Sequence, residues 1–171
     1  MEIATILGLI ITVIGIYIGW WAPKAAQIRE RLRNAEPQLY FATGSYGGPT
    51  GHGIGLNLQN QGTVDAYDLA FYLSEFVEPL WKTPILRAGE TPYHQIPLAD
   101  NSPVRTQAIK GLKARLVYHD RYKREFIASL DLIQQQRADG FYNIAKAPSV
   151  SMIVTPPATR FRDLWRLRKQ A

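Results

Sequence analysis

Twenty consecutive residues, Ile3 to Ala22, carry no charge, and polar positions return only after them. At 1.5 Å per residue this run reaches about 30 Å, the hydrocarbon thickness of a bilayer, so the pattern predicts a transmembrane anchor over 1–23. Within it Gly8, Thr12, Gly15 and Gly19 follow at spacings of 4, 3 and 4. At about 100° per residue these four fall in one narrow arc, flanked by Ala4, Thr5 and Ala22. Isoleucine, leucine and valine occupy the other faces. A small-residue stripe lets another helix backbone approach closely, and Gly15-x-x-x-Gly19 is its local form. The expected partner is therefore the helix of another integral membrane subunit, or of a second copy.

The end of the run is marked by Tyr17, Trp20, Trp21 and Lys24, side chains suited to the headgroup level. Pro23 is placed to end or bend the helix. A short stem helix is expected over 24–36, where Ile28 and Leu32 lie four apart among Arg29, Glu30, Arg31 and Arg33. Glu36-Pro37 ends it, because the residue before proline is pushed out of helical geometry.

From there the pattern has a period of two. Leu39 and Phe41 alternate with Gln38, Tyr40 and Ala42, and Ile54, Leu56 and Leu58 with Gly55, Asn57 and Gln59. The glycine-rich Gly44 to Gly53 reads as a loop between them, and Asn60-Gln61-Gly62 as a turn. The next strand places Ala66, Ala70 and Tyr72 on one side and Tyr67, Leu69, Phe71 and Leu73 on the other. Residues 75–90, with Pro79, Pro84 and Gly89, read as a long connection; Tyr93 to Leu98 as a strand; Asp100 to Pro103 as a turn. The clearest hairpin joins Leu112–His119 to Glu125–Ile133 through Asp120–Arg124, and a last turn at Ala138-Asp139-Gly140 precedes a strand near Phe141–Ala145. Such spacing predicts a mainly β, antiparallel β-sandwich over 37–157. In the tail, 158–171, Thr159 can cap an amphipathic helix. Phe161, Leu164 and Trp165 share one face there, and Arg160, Arg162, Arg166 and Lys169 lie elsewhere. That composition suits a membrane interface or a partner groove.

The net charge of +6 and the pI near 9.7 sit at the chain's two ends. Between Pro37 and Pro157 eleven Lys and Arg face ten Asp and Glu, whereas the stem carries four basic residues against two acidic and the tail five against one. Basic segments beside a bilayer point to an anionic lipid surface, not to nucleic acid, which calls for a basic patch on the folded domain. Lys24, Arg29, Arg31 and Arg33 follow the span while Glu2 precedes it, so the positive-inside rule places the N-terminus outside and the C-terminal domain in the cytoplasm, at a cell inner membrane. Glu2 also argues against a signal peptide, which carries a basic start, so the span reads as uncleaved. The absence of cysteine suits a reducing compartment and equally a cysteine-free exported domain.

Candidate chemistry is sparse. The segment 44–55 is rich in glycine but lacks a lysine and leads into a strand, whereas a phosphate loop opens a helix. His52, His94 and His119 are not spaced as metal ligands, and no cysteine completes a site. Asp65, Asp68, Glu75 and Glu78 show no spacing that brings two carboxylates together. No serine sits in a nucleophile elbow. No catalytic, cofactor or metal site is expected.

The segment LQNQGTVDAYDLAFYL at Leu58 to Leu73 resembles the bacterial immunoglobulin-like (CARDB-type) domains, in its strand ending Asn60-Gln61-Gly62-Thr63, then Asp65-Ala66, then an alternating strand. Val117-Tyr118-His119-Asp120 followed by Arg124-Glu125-Phe126 is similar to a late hairpin of such domains. The resemblance implies an immunoglobulin-like sandwich. Family members are commonly extracellular, which supplies the alternative to a non-catalytic accessory or scaffold subunit: an exported, membrane-anchored adhesion or ligand-binding module.

Overall fold

A computed structural model describes residues 2–48, 51–74, 76–146 and 152–155. The chain divides into a helical unit, which includes Met1–Ala35, and a β unit, Glu36–Pro157.

Helix α1 spans Glu2–Asn34 and carries Pro23 inside it. Anchor and stem are therefore one helix of about 50 Å. Proline at this point removes one backbone donor, the one that would reach the Gly19 carbonyl. Good helix formers on both sides, including Ala22, Lys24, Ala25 and Ala26, let the cooperative ladder continue past that gap. The helix ends at Asn34, just before Glu36-Pro37, as the proline rule expects. Among the described residues this is one helix long and apolar enough to cross a membrane. The tail, with Phe161, Leu164 and Trp165, lies outside the described residues.

The β unit contains β1 (Leu39–Gly48), β2 (Gly51–Asn60), β3 (Ala66–Leu73), β4 (Trp81–Leu86), β5 (Tyr93–Pro97), the short helix α2 (Pro103–Thr106), β6 (Lys113–His119), β7 (Glu125–Gln136), β8 (Tyr142–Lys146) and β9 (Ile153–Thr155). One antiparallel sheet has the order β1-β2-β5; the other runs β4-β3-β6-β7-β8, with β9 also on β7. The expected strands around Leu39, Ile54, Ala66, Tyr93, Leu112, Glu125 and Phe141 are all present.

Besides the fusion of anchor and stem, four features of the β unit depart from the expectations. The described part of the glycine-rich segment is strand: β1 and β2 pair through it, with Gly44 opposite Gly55 and Tyr46 opposite Gly53. Glycine is needed at 53 for close approach, since a Cβ there would fall on the Ile96 carbonyl oxygen; one on Gly55 would meet only the Tyr93 side chain, whose exposed ring can shift. The connection 75–90 contains β4, an edge strand on β3, where Pro84 is tolerated because an edge needs no donor on its outer side. Pro103 opens α2 at the expected turn. In β3 a register shift between Tyr67 and Ala70, with Asp68 at φ 50°, turns the alternation over. Ala66 thus joins Leu69, Phe71 and Leu73 on the buried side. Gly62 likewise earns its place by close approach, because a Cβ would stand 2.9 Å from the Gln38 nitrogen, and its φ is not in the left-handed region.

Both sheets contribute to one hydrophobic cluster. Leu39, Phe41, Ile54, Leu56 and Leu58 enter from one, and Leu69, Phe71, Leu116, Ala128 and Leu130 from the other. Phe41 and Phe71 meet edge to face across it, with ring centroids 6.1 Å apart. At one end Tyr118 stacks on Phe126 at 5.3 Å. Burial, and then the Glu36 carboxylate, push the Tyr118 phenol up to about 12. The folded chain therefore holds this proton where an unfolded tyrosine, titrating near 10, has released it. Stability should be intact below about pH 10 and fall by about 3 kcal/mol as the pH rises to about 12. Tyr118→Phe should remove that part of the slope in denaturant titrations between those pH values; an unchanged slope would show that Tyr118 is not its source.

Candidate functional site

Local helical geometry places the stripe directly. Gly8, Thr12, Gly15 and Gly19 are exposed, and a Cβ built on any of the three glycines meets no atom within 4 Å. The Thr12 hydroxyl donates to the Gly8 carbonyl at 2.8 Å, which satisfies the one side-chain polar group on the stripe within the helix itself. Because α1 does not break at Pro23, the 4-3-4 spacing runs on to Ala22 and Ala26, both exposed. The seam so extended repeats every 3.5 residues, the period of left-handed helix pairs. Large apolar side chains cover the remaining faces, with Ile6, Leu9, Ile11, Ile16 and Ile18 all more than half exposed.

Of the expected interface residues, Tyr17, Trp20 and Lys24 are exposed and Trp21 is half-buried. The Lys24 ammonium lies 3.6 Å from the centre of the Trp20 ring. A cation over an indole face, one turn apart, forms an amphipathic pair suited to the headgroup level.

The β unit holds the residues weighed for chemistry, and it disperses them. His94, on β5, packs against Trp81 of β4 with ring centroids 4.4 Å apart, and burial pushes its imidazole down. His119 places Nε2 3.9 Å from Glu125, and its Nδ1 is buried without a hydrogen-bond partner. Asp65 accepts the Ala88 N–H at 2.9 Å, Asp68 forms the bulge, Glu78 is exposed, and Glu75 lies outside the described residues. Among the described residues no three His, Asp or Glu side chains gather as a metal site.

One grouping escaped the sequence reading. A cleft at the far end of the β1–β2 hairpin from Leu39 is lined by Ser45, Tyr46, His52, Arg105, Arg137 and Phe141, among others. Arg105 comes from α2, and Arg137 and Phe141 flank the turn between β7 and β8. These residues lie far apart in the chain, and no spacing rule connects them. Set against models of protein families, curated proteins and solved structures, the chain matches none of them.

Proposed function

We propose that this chain is a single-pass membrane protein, a non-catalytic accessory or scaffold subunit that docks on another integral membrane protein through the face bearing Gly8, Thr12, Gly15 and Gly19. The observation that carries the reading is the sorting of α1: small residues on one exposed arc, bulky apolar ones elsewhere. An anchor that only holds a domain in place gains nothing from that sorting, whereas a helix pair gains close backbone contact. The Lys24–Trp20 pair and the arginines at 29, 31 and 33 support a headgroup boundary near Pro23, with the β unit on the cytoplasmic side of an inner membrane. The basic tail, through Phe161, Leu164 and Trp165, would add contact with anionic lipid.

For the β unit the reading is an immunoglobulin-like sandwich. Its support is the strand order, β1-β2-β5 on one sheet and β4-β3-β6-β7 on the other, with the chain changing sheets after β2, β4 and β5. Sandwiches of the immunoglobulin and fibronectin type III kind share this architecture, and β8 and β9 are then additions at the β7 edge. The segment that resembles CARDB-type domains covers the crossing from β2 to β3. There the buried Asn60 donates to the carbonyls of Val64 and Leu86 and accepts the Gly62 N–H. The same resemblance supports the exported adhesion or ligand-binding module as the second reading.

Two measurements test the proposal. A reporter active only outside the cytoplasm, fused after Ala171, is expected to be silent; full activity would overturn the topology in favour of the exported module. Purification of the intact chain in mild detergent is expected to bring down a different integral membrane chain. Recovery of self-adducts alone after crosslinking would replace the subunit by a homo-oligomer.

A further inference from the structure

The cleft beside α2 has the composition of an anion site. Arg105 is buried, with 8% of its side chain exposed, yet it lines a small cleft that opens to solvent. Its guanidinium lies over the Phe141 ring, 4.8 Å from the centroid, which fixes the plane of the group. Asp100 engages Nη1 from outside, with 89% of its own side chain exposed. The other guanidinium N–H groups meet no acceptor among the described residues. Arg137 lines the same space and pairs through Nη2 with Asp139 at 2.8 Å. His52, Tyr46 and Tyr142 add further polar edges, and no carboxylate is among the lining residues. Each arginine already holds one carboxylate outside the cleft, so what the lining offers is guanidinium donors left over from those pairs, with no acid of its own to occupy them.

We propose that this cleft binds a single oxyanion group, a phosphate or carboxylate, held by Arg105 and Arg137. Guanidinium groups present parallel donors that match both acceptors, and the Phe141 face holds Arg105 ready without loss of side-chain freedom on binding. Asp100 competes for the same cation from the solvent side. The site lies wholly in the β unit and does not depend on the membrane reading.

The test uses the full chain in uncharged detergent, titrated with inorganic phosphate, with glycerol phosphate and with acetate, against sodium chloride of equal ionic strength. Side-chain NMR signals of Arg105, Arg137 and Phe141 are followed. A saturable shift with phosphate is expected, beyond any chloride effect. A glycerol phosphate response as strong as that of phosphate assigns the site to the phosphate end of a larger molecule, a weaker one to the free ion, and acetate alone to a carboxylate. Arg137→Gln, at a partly exposed position, should weaken binding roughly tenfold, the usual worth of one charge-assisted hydrogen bond. Asp100→Asn should strengthen it several-fold, by releasing Arg105 from its competitor. Arg105→Gln should abolish it, and because that buried change can also unfold the unit, the other two variants carry the decision. No response to any of the three anions, or equal binding by the wild type, Arg137→Gln and Asp100→Asn, would overturn the proposal.

Discussion

Asp120→Ala should destabilise the β unit by about 3–5 kcal/mol, the cost of removing one partner from a buried ion pair. Asp120 is 1% exposed and lies in the loop that joins β6 to β7. Its Oδ1 accepts the N–H groups of Tyr122 and Arg124 at 2.8 and 2.9 Å, and its Oδ2 accepts Nε of Arg124 at 2.6 Å. Arg124 also reaches Glu36 at 3.4 Å, so the carboxylate ties the hairpin loop to the start of the β unit. The loop needs this support because Lys123 adopts φ 60°, a conformation a lysine avoids when unconstrained. Alanine leaves two backbone donors without their acceptor and strips Arg124 of its closest counter-charge. Asp120→Asn retains an acceptor and should cost less. Denaturant unfolding of the full chain, followed by near-ultraviolet circular dichroism, measures both. A midpoint unmoved by Asp120→Ala would show that the loop is held by other contacts.

Gly15→Ile should separate membrane insertion from complex membership. Nothing within the chain lies near the position a Cβ would take at Gly15, so the isoleucine meets no internal clash. The span remains as apolar as before, and insertion should survive. A partner helix that approaches the stripe would instead meet a branched side chain in the space the glycine left open, and most of the partner should be lost on purification. Ile14→Leu, one residue away on the bulky face and 51% exposed in the wild type, is the control and should be nearly silent. The two variants are compared by co-purification at equal membrane abundance. Equal retention of partner by both would reduce the stripe to composition and the helix to an anchor.

How far each feature was legible follows from where its determinants lie. The alternation in 112–119 and 125–133 identified the β6–β7 hairpin, and Leu116 and Leu130 are buried as that alternation requires. The alternation of β3 misled at its first residue, because a bulge adds a residue without any local change of pattern. The glycines from 44 to 53 read as a loop because glycine is a poor strand former alone. The need for one of them, Gly53, is set by the Ile96 backbone, forty-three residues later. The strand β4 was hidden by Pro84, whose acceptability depends on its lying at an edge, a fact of topology.

The sequence by itself determined the apolar span and its small-residue arc, the uneven distribution of charge, and a mainly β domain behind the helix. Helical hydrogen bonds join residues four apart, so the face a side chain occupies in α1 follows from counting along the chain. Strand pairing joins residues of any separation. The order of the two sheets, the extension of the hairpin through its glycines, the burial of Asp120 and the gathering of Arg105, Arg137 and Phe141 around one cleft were therefore decided only when the chain had folded. Continuity of α1 through Pro23 is instead a local outcome that the proline rule alone misjudges, because the intact ladder on both sides outweighs one missing donor.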